Sequence, residues 1–344
     1  MLKNNLTAIK RISLWSTFII SILSTWAVII ALNGENPLYA FQYILEGSLG
    51  DSDYFLSTLN KMVPIMLTAM AAAVPAWTGV WNIGSEGQLL FGAFGAAFIG
   101  FTFNLGTSFL NIPLALVVAA CFGMLWVAWS AFFKIKFNID EVVTTLMGNY
   151  IAFQIISYLI NRPFRDPGSP LAQTKYIDPS FSIPYLFKGS QFSCTFFIAL
   201  SIVILLYIIK KYFKFGYELN LTGSNPEFAK LSGINISRAK FYSMLIGGAL
   251  SGLAGGLLVL GMTHRVMQSF SPGYGFTGLL VCLLAMNHPI IIIFVSFLFA
   301  LLQTGSVNLE LLSSVPAEIS GVLQAVLVLF VSAFRTMVLG KGRN

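Results

Sequence analysis

Charge is what this chain has least of. Asp, Glu, Lys and Arg make up only 10% of its 344 residues, where soluble domains carry about 25%. Apolar residues make up 56%, more than a water-soluble core of this length needs. A bilayer demands that excess, because its hydrocarbon interior penalises every exposed polar group. Histidine is nearly absent: His264 and His288 stand alone and far apart. Without HExxH or GxSxG, neither a zinc protease nor a nucleophile elbow is supported. The three cysteines, Cys121, Cys194 and Cys282, lie in apolar runs with no CxxC spacing. They indicate neither a disulfide framework nor a zinc site, and are expected as small packing residues. The formal charge of +7 comes without a basic stripe interleaved with aromatics, so no nucleic-acid partner is expected. Gly256 to Thr263 matches a phosphate-binding loop except that Met262 replaces its lysine. Neither catalysis nor ATP binding is expected of this chain, and no cofactor or metal.

Long charge-free runs are what it does have. Runs without Asp, Glu, Lys or Arg extend from Ile12 to Leu32, Met62 to Ser85, Gly87 to Phe133 and Val142 to Asn161. Others extend from Gly189 to Ile209, Phe241 to Thr263, Val266 to Leu309 and Ile319 to Phe334. A helix crosses a bilayer with about 20 apolar residues. The 47 residues from Gly87 divide near Asn104, Gly106, Asn111 and Pro113, and the 44 from Val266 at Asn287-His288-Pro289, giving ten spans. The first run is too long for a signal-peptide core and no small-residue cleavage site follows, so it is expected to stay as a span. An even count puts both termini on one side. Placing them in the cytoplasm puts fourteen of the twenty Lys and Arg residues inside, as the positive-inside rule requires. Four of the others, Arg162, Arg165, Lys175 and Lys188, share the one long outer loop, and the first outer segment carries Glu35, Glu46, Asp51 and Asp53.

Several spans are more than anchors. Pro64 and Pro75 lie inside the second. Glycines crowd 84–100 and 247–256, and Gly248-x-x-x-Gly252-x-x-x-Gly256 forms a close-packing face. The glycines serve tight helix association, or broken helices that expose backbone to a transport cavity.

Two functions of different class fit: an ion-coupled secondary transporter or channel, and a permease driven by a separate ATPase. Ion coupling calls for ionisable groups within the membrane, and Glu86 is the one acid so placed; it equally suits a helix N-terminus. An ATPase calls for a cytoplasmic docking element. The segment GSNPEFAKLSGI, Gly223 to Ile234, has Asn225 as N-cap, Pro226 at the first helical position and Glu227 in the first turn. Gly233 follows as the stop and Ile234 as the apolar residue beyond it. The expected two-turn helix carries Phe228 and Leu231 on one face, which either docks a partner or lies on the membrane surface.

This segment resembles the coupling segment of ABC importer permeases of the ribose and nucleoside type, G-x-N-x-x-A-A-x-x-x-G-I. Four stretches agree in order: NIGSEGQLLFGAFGA from Asn82, DEVVTTLMGNYIA from Asp140, GGALSGLAGG from Gly247 and GYGFTGLLVCLLAMNHP from Gly273. Together the five span Asn82 to Pro289. The NIGSEGQ and EVVTTLM-x-NYIA stretches, with Arg162 to Pro167 in the outer loop, are most similar to the branch that imports purine nucleosides. Phe228 stands where that family often has alanine, and AMNHP replaces a glycine-containing turn.

The resemblance implies an all-α, polytopic permease of about ten transmembrane helices in two related halves. The first half would cover 12–213, a cytoplasmic coupling loop 214–240 and the second half 241–338, all one permease domain of the bacterial plasma membrane. It further implies three partners: a cytoplasmic ABC ATPase, a second permease subunit (identical or different) and an extracytoplasmic substrate-binding protein. The solute would be a nucleoside or a similar small polar molecule such as a pentose. Asn82, Glu86, Gln88 and Asn149 are candidate polar groups along its path, with Gln88 and Asn149 equally suited to bonding helices together. Trp77 and Trp81 are candidates to stack a base or to anchor at the membrane interface.

Overall fold

Side-chain caps set several helix starts. Asp140 accepts from the Val142 and Val143 amides, Asn225 from Phe228 and Asn235 from Arg238. Each bond satisfies amides that a first helical turn leaves without partners. The computed structural model describes residues 20–187 and 190–340. Residues 12–19 of the expected first span, Lys188, Gly189, Lys341 and Arg343 lie outside them.

In chain order the helices are α1 (Ile20–Leu32), α2 (Pro37–Leu49), α3 (Ser52–Ala76), α4 (Ser85–Thr102), α5 (Ser108–Phe137) and α6 (Glu141–Asn161). There follow α7 (Thr195–Tyr212), α8 (Lys214–Ser224), α9 (Pro226–Leu231), α10 (Ile236–Leu258), α11 (Tyr274–Leu284), α12 (Pro289–Leu312) and α13 (Ile319–Gly340). Among the described residues there is no strand, only isolated bridges; the fold is all-α. Helices α3, α5, α6, α7, α10 with its π turn, and α12 are long and apolar enough to cross a bilayer. Shorter apolar helices cover Ile20–Leu32, Tyr274–Leu284 and Ile319–Val331.

Differences from the charge-free runs have local causes. Helix α3 starts at Ser52, well before the run, and stops at Ala76 rather than Ser85. Beyond Ala76, Gly79 at φ 78° turns the chain back. The Val266 to Leu309 run does hold two helices, but the first is only the 11-residue α11. His264 and Ser269 at φ 54° and 59° and Gly273 at φ 90° keep the preceding segment out of the right-handed helical region. Helices α2 and α8 contain charged residues, so a search for charge-free runs passes over them.

The chain divides into two compact units. One contains residues up to Thr58 and from Leu298 onward. In it the Trp26 indole donates to the Leu323 carbonyl at 3.0 Å and the Asn308 amide to Tyr43 at 2.9 Å. The other runs from Leu59 to Phe297 and is organised around α10. The Gly248-x-x-x-Gly252-x-x-x-Gly256 face lies on α5: a β-carbon on Gly252 would overlap the Ala119 carbonyl, and one on Gly248 would stand 2.6 Å from that of Gly123. Gly255 presses equally closely on the Leu89 backbone of α4. Backbones approach so closely only where side chains are missing.

Candidate functional site

Two helix starts converge in the larger unit. The segment 77–84 climbs from the end of α3 to the start of α4, and α6 holds its second half. The Trp81 amide donates to Glu141 Oε1 at 3.3 Å and Ile83 to Thr145 Oγ1 at 3.2 Å. The Asn149 side chain accepts from Gly87 at 2.8 Å and donates to the Ile83 carbonyl at 2.9 Å. Glu141 is itself held by Lys134 at 2.7 Å. From this support Glu86, in the first turn of α4, reaches the start of α11. Its carboxylate accepts the Gly275 amide at 2.6 Å, while the neighbouring Gly273 and Tyr274 amides donate to the Ser271 hydroxyl. Glu86 therefore caps α11 from the first turn of its own helix, setting one negative charge at the positive ends of two helix dipoles.

Beside Glu86 lies a cavity of about 410 Å³. Helix α4 contributes Glu86 and Leu90, and α11 contributes Phe276. One face of α6 contributes Asn149, Phe153, Ile156, Ser157 and Ile160, with Tyr150 and Gln154 at its edge, and the segment Met267–Ser271 closes the opposite side. The lining mixes ring faces (Tyr150, Phe153, Phe270, Phe276) with amides and hydroxyls (Asn149, Gln154, Ser157, Gln268, Ser269, Ser271). It includes no Lys, Arg or His. Such a site can hold a neutral solute by stacking and hydrogen bonds but offers no cation to pair with an anionic one.

The wall segment 267–271 is braced from behind. The Thr174 and Ile177 amides donate to the Val266 and His264 carbonyls, both at 2.9 Å. The His264 ring lies 2.9 Å from the Tyr185 hydroxyl and 3.4 Å from that of Ser182. Burial holds its pKa below the usual 6.5, so the folded form favours a neutral ring. As pH falls through 6.5 the unfolded segment takes up protons that the folded one resists, and stability declines until the folded pKa is passed. Hydrogen exchange at the Thr174 and Ile177 amides, corrected for intrinsic rates, should quicken as pH falls below about 6.5, the ordinary histidine value. His264→Gln should flatten that dependence.

Residues 54–332 match the family described as branched-chain amino acid transport system / permease component. The guanosine ABC transporter permease protein NupP of Bacillus subtilis is 32% identical, covering 94% of this chain and 95% of that protein. The nucleoside ABC transporter permease NupB of Lactococcus lactis is 31% identical, covering 89% and 86%. A glucose ABC transporter permease of Haloferax volcanii is 27% identical, covering 92% and 86%. The chain belongs to this permease family. It is a multi-pass membrane protein and the permease subunit of an ABC transporter, not an enzyme; ATP hydrolysis resides in a separate subunit. Transporters of this kind work with an ATPase and a substrate-binding protein.

The permease brings only part of the sequence-derived candidates together. Glu86 and Asn149 line the cavity. Asn82 and Gln88 are buried outside it, paired with each other by two amide hydrogen bonds of 3.0 and 2.9 Å. Trp77 is buried and donates to the Asn287 carbonyl at 2.8 Å; Trp81 is 37% exposed. The sequence reading passed over Tyr150, Phe153, Gln154 and the polar run from Gln268 to Ser271. Residues 149, 153, 156, 157 and 160 recur at helical spacing, so the face was visible, although its partner segment was not. Helix α9 has the cap expected of it, with Asn225 Oδ1 accepting the Phe228 amide at 3.0 Å and Gly233 at φ 80° ending the turn.

Proposed function

We propose that this permease imports a neutral nucleoside, and that the cavity beside Glu86 is part of its path. One observation carries the reading: aromatic faces and neutral hydrogen-bonding groups surround a space of about 410 Å³ with no cationic side chain. Small-molecule sites span about 300–1,000 Å³. A nucleoside presents a flat base and a ring of hydroxyls, which this lining suits. An amino acid would bring a carboxylate, and the helix ends that could receive it are already occupied by Glu86. The nucleoside permeases among the relatives favour the same reading.

In this reading the chain crosses the membrane ten times, by α1, α3, α4, α5, α6, α7, α10, the segment from Val266 through α11, α12 and α13. Both termini face the cytoplasm, and α9 projects there as the coupling helix. The halves are 12–213 and 241–338, with 214–240 as the coupling loop between them. The exposed Phe228 and Leu231 dock the ATPase, Asn225, Pro226, Glu227, Gly233 and Ile234 shape the helix that presents them, and a second permease completes the path. On α6, Asn149 stands eight residues past Glu141, about 12 Å along the axis at 1.5 Å per residue, so the cavity begins within the membrane and runs toward the extracytoplasmic end.

The test is uptake of labelled guanosine, uridine, ribose and glucose by proteoliposomes holding the complete transporter. Guanosine or uridine should accumulate with ATP. Phe153→Ala should raise the half-saturating nucleoside concentration by about tenfold, since base stacking contributes about 1–3 kcal/mol, and Gln154→Ala should raise it by about fivefold through a lost hydrogen bond of about 1 kcal/mol. Accumulation of glucose alone would transfer the substrate class to the sugars, and unchanged kinetics in both variants would move the path away from this cavity.

A further inference from the structure

Two adjacent lysines end α7 and behave differently. Lys211 lies over the Tyr207 and Tyr212 rings at the surface. Lys210 turns inward, half-buried, and no carboxylate of the described residues pairs with it. Its ammonium stands 4.4 Å from the centre of the Trp77 ring and donates to the Asn287 carbonyl at 3.2 Å. The Trp77 indole N–H donates to that same oxygen at 2.8 Å. Two donors from separate helix ends thus meet on one carbonyl of the α11–α12 turn.

That turn needs holding. Met286 and Asn287 both have left-handed backbones, φ 53° and 59°, which side-chain-bearing residues adopt at a cost. The Cys282 thiol donates to Asn287 Oδ1 at 3.0 Å, tying the turn to α11. On its other side Trp77 touches the coupling loop. A β-carbon on Gly223 would overlap the Trp77 carbonyl, and Gly223 lies two residues before Asn225, the cap of α9. At the far end of α11, in its first turn, the Gly275 amide is bound by Glu86 at 2.6 Å. Helix α11 has 11 residues and so acts as a rod of about 16 Å.

We propose that Lys210 and Trp77 are positioning residues that link the coupling helix to α11, so that displacement of α9 reaches the cavity wall at Gly275 and Glu86. The proposal rests on the reading of α9 as the ATPase contact. Every step is a packed backbone or a hydrogen bond: Gly223 against Trp77, Trp77 and Lys210 on Asn287, the turn on α11, and α11 on Glu86. A lysine that only anchored the membrane interface would face outward, as Lys211 does.

The experiment measures solute moved per ATP hydrolysed, with the complete transporter in proteoliposomes. Lys210→Met should assemble and retain most of the hydrolysis, while transport per ATP falls about tenfold, within the usual range for coupling between sites. Lys210→Arg should restore the ratio, because a guanidinium both stacks on an indole and donates to a carbonyl. Trp77→Phe keeps a ring for the cation but loses one donor, and should fall between. A wild-type ratio in Lys210→Met overturns the proposal. So does a parallel loss of hydrolysis and transport that arginine fails to rescue, which marks a purely structural lysine. Should Lys210→Met not assemble, Trp77→Phe decides by the same ratio. A wild-type complex whose uptake is not tied to ATP removes the reading of α9 itself, whereas a coupled wild type beside a coupled Lys210→Met removes only the link.

Discussion

A leucine in place of Gly252 should leave no folded permease in detergent, and alanine should leave much less than wild type. Gly252 stands where α4, α5 and α10 approach together. A β-carbon there overlaps the Ala119 carbonyl and comes within 3.1 Å of the Gly123 Cα, while a β-carbon on Gly92 would overlap Gly252 itself. These neighbours are backbone, which cannot swing aside as a flexible side chain can. Overfilling an ordinary core costs about 1–3 kcal/mol because side chains adjust. Here helices must separate, losing the dispersion contacts that hold them together where lipid provides no hydrophobic drive. Against a net stability of about 5–15 kcal/mol, a leucine removes most of the margin. The check is the monodisperse fraction in size-exclusion chromatography of equally expressed variants. Gly321→Ala is the control, since a β-carbon there meets nothing within 4 Å and alanine favours helix by about 1 kcal/mol. Wild-type behaviour of Gly252→Leu would mean that the three helices do not pack as described.

How far the sequence discloses this fold depends on the range of the force involved. Membrane crossing is decided by composition within some twenty residues, so charge-free runs locate the apolar helices. Helix α9 is decided within ten residues, from Asn225 to Ile234, and its cap and stop were legible for that reason. The shortness of α11 was not. An apolar run says which residues lipid accepts, but not that His264 and Ser269 adopt left-handed backbones which delay the helix until Tyr274. The charged helices α2 and α8 escaped because charge was the criterion.

The candidate site divides along the same line. Glu86 and Asn149 stood out as polar groups in apolar surroundings, and both line the cavity. Asn82 and Gln88 stood out for the same reason, yet they bond each other across the start of α4. Composition does not distinguish a buried amide with a partner from one facing a cavity; the course of the 77–84 segment does. The segment from Met267 to Ser271 reaches Glu86 across more than 180 residues of chain, a distance that one sequence gives no means to close.

Phe228→Asp should abolish ATP-driven uptake while the permease still folds and reaches the membrane. The separation of the two effects follows from where α9 keeps its contacts. Its inward residue is Ala229, which is fully buried, whereas Phe228 is 51% and Leu231 87% exposed. Asn225 caps the helix through the Phe228 backbone amide, a bond that survives any side chain at that position. Phe228 therefore contributes little to the permease alone, and an aromatic ring so exposed on a helix with its own start and stop suits a pocket in a partner. Buried aromatic anchors at protein interfaces typically carry about 2 kcal/mol or more, roughly a thirtyfold change in affinity. Aspartate adds the cost of desolvating a charge in the same pocket. Affinity of the purified permease for its ATPase should drop by at least about thirtyfold, with the thermal transition of the permease alone unchanged. Phe228→Leu, which keeps an apolar occupant, should retain partial uptake. Undiminished uptake in Phe228→Asp would leave α9 as a helix on the membrane surface and place the ATPase contact elsewhere on the chain.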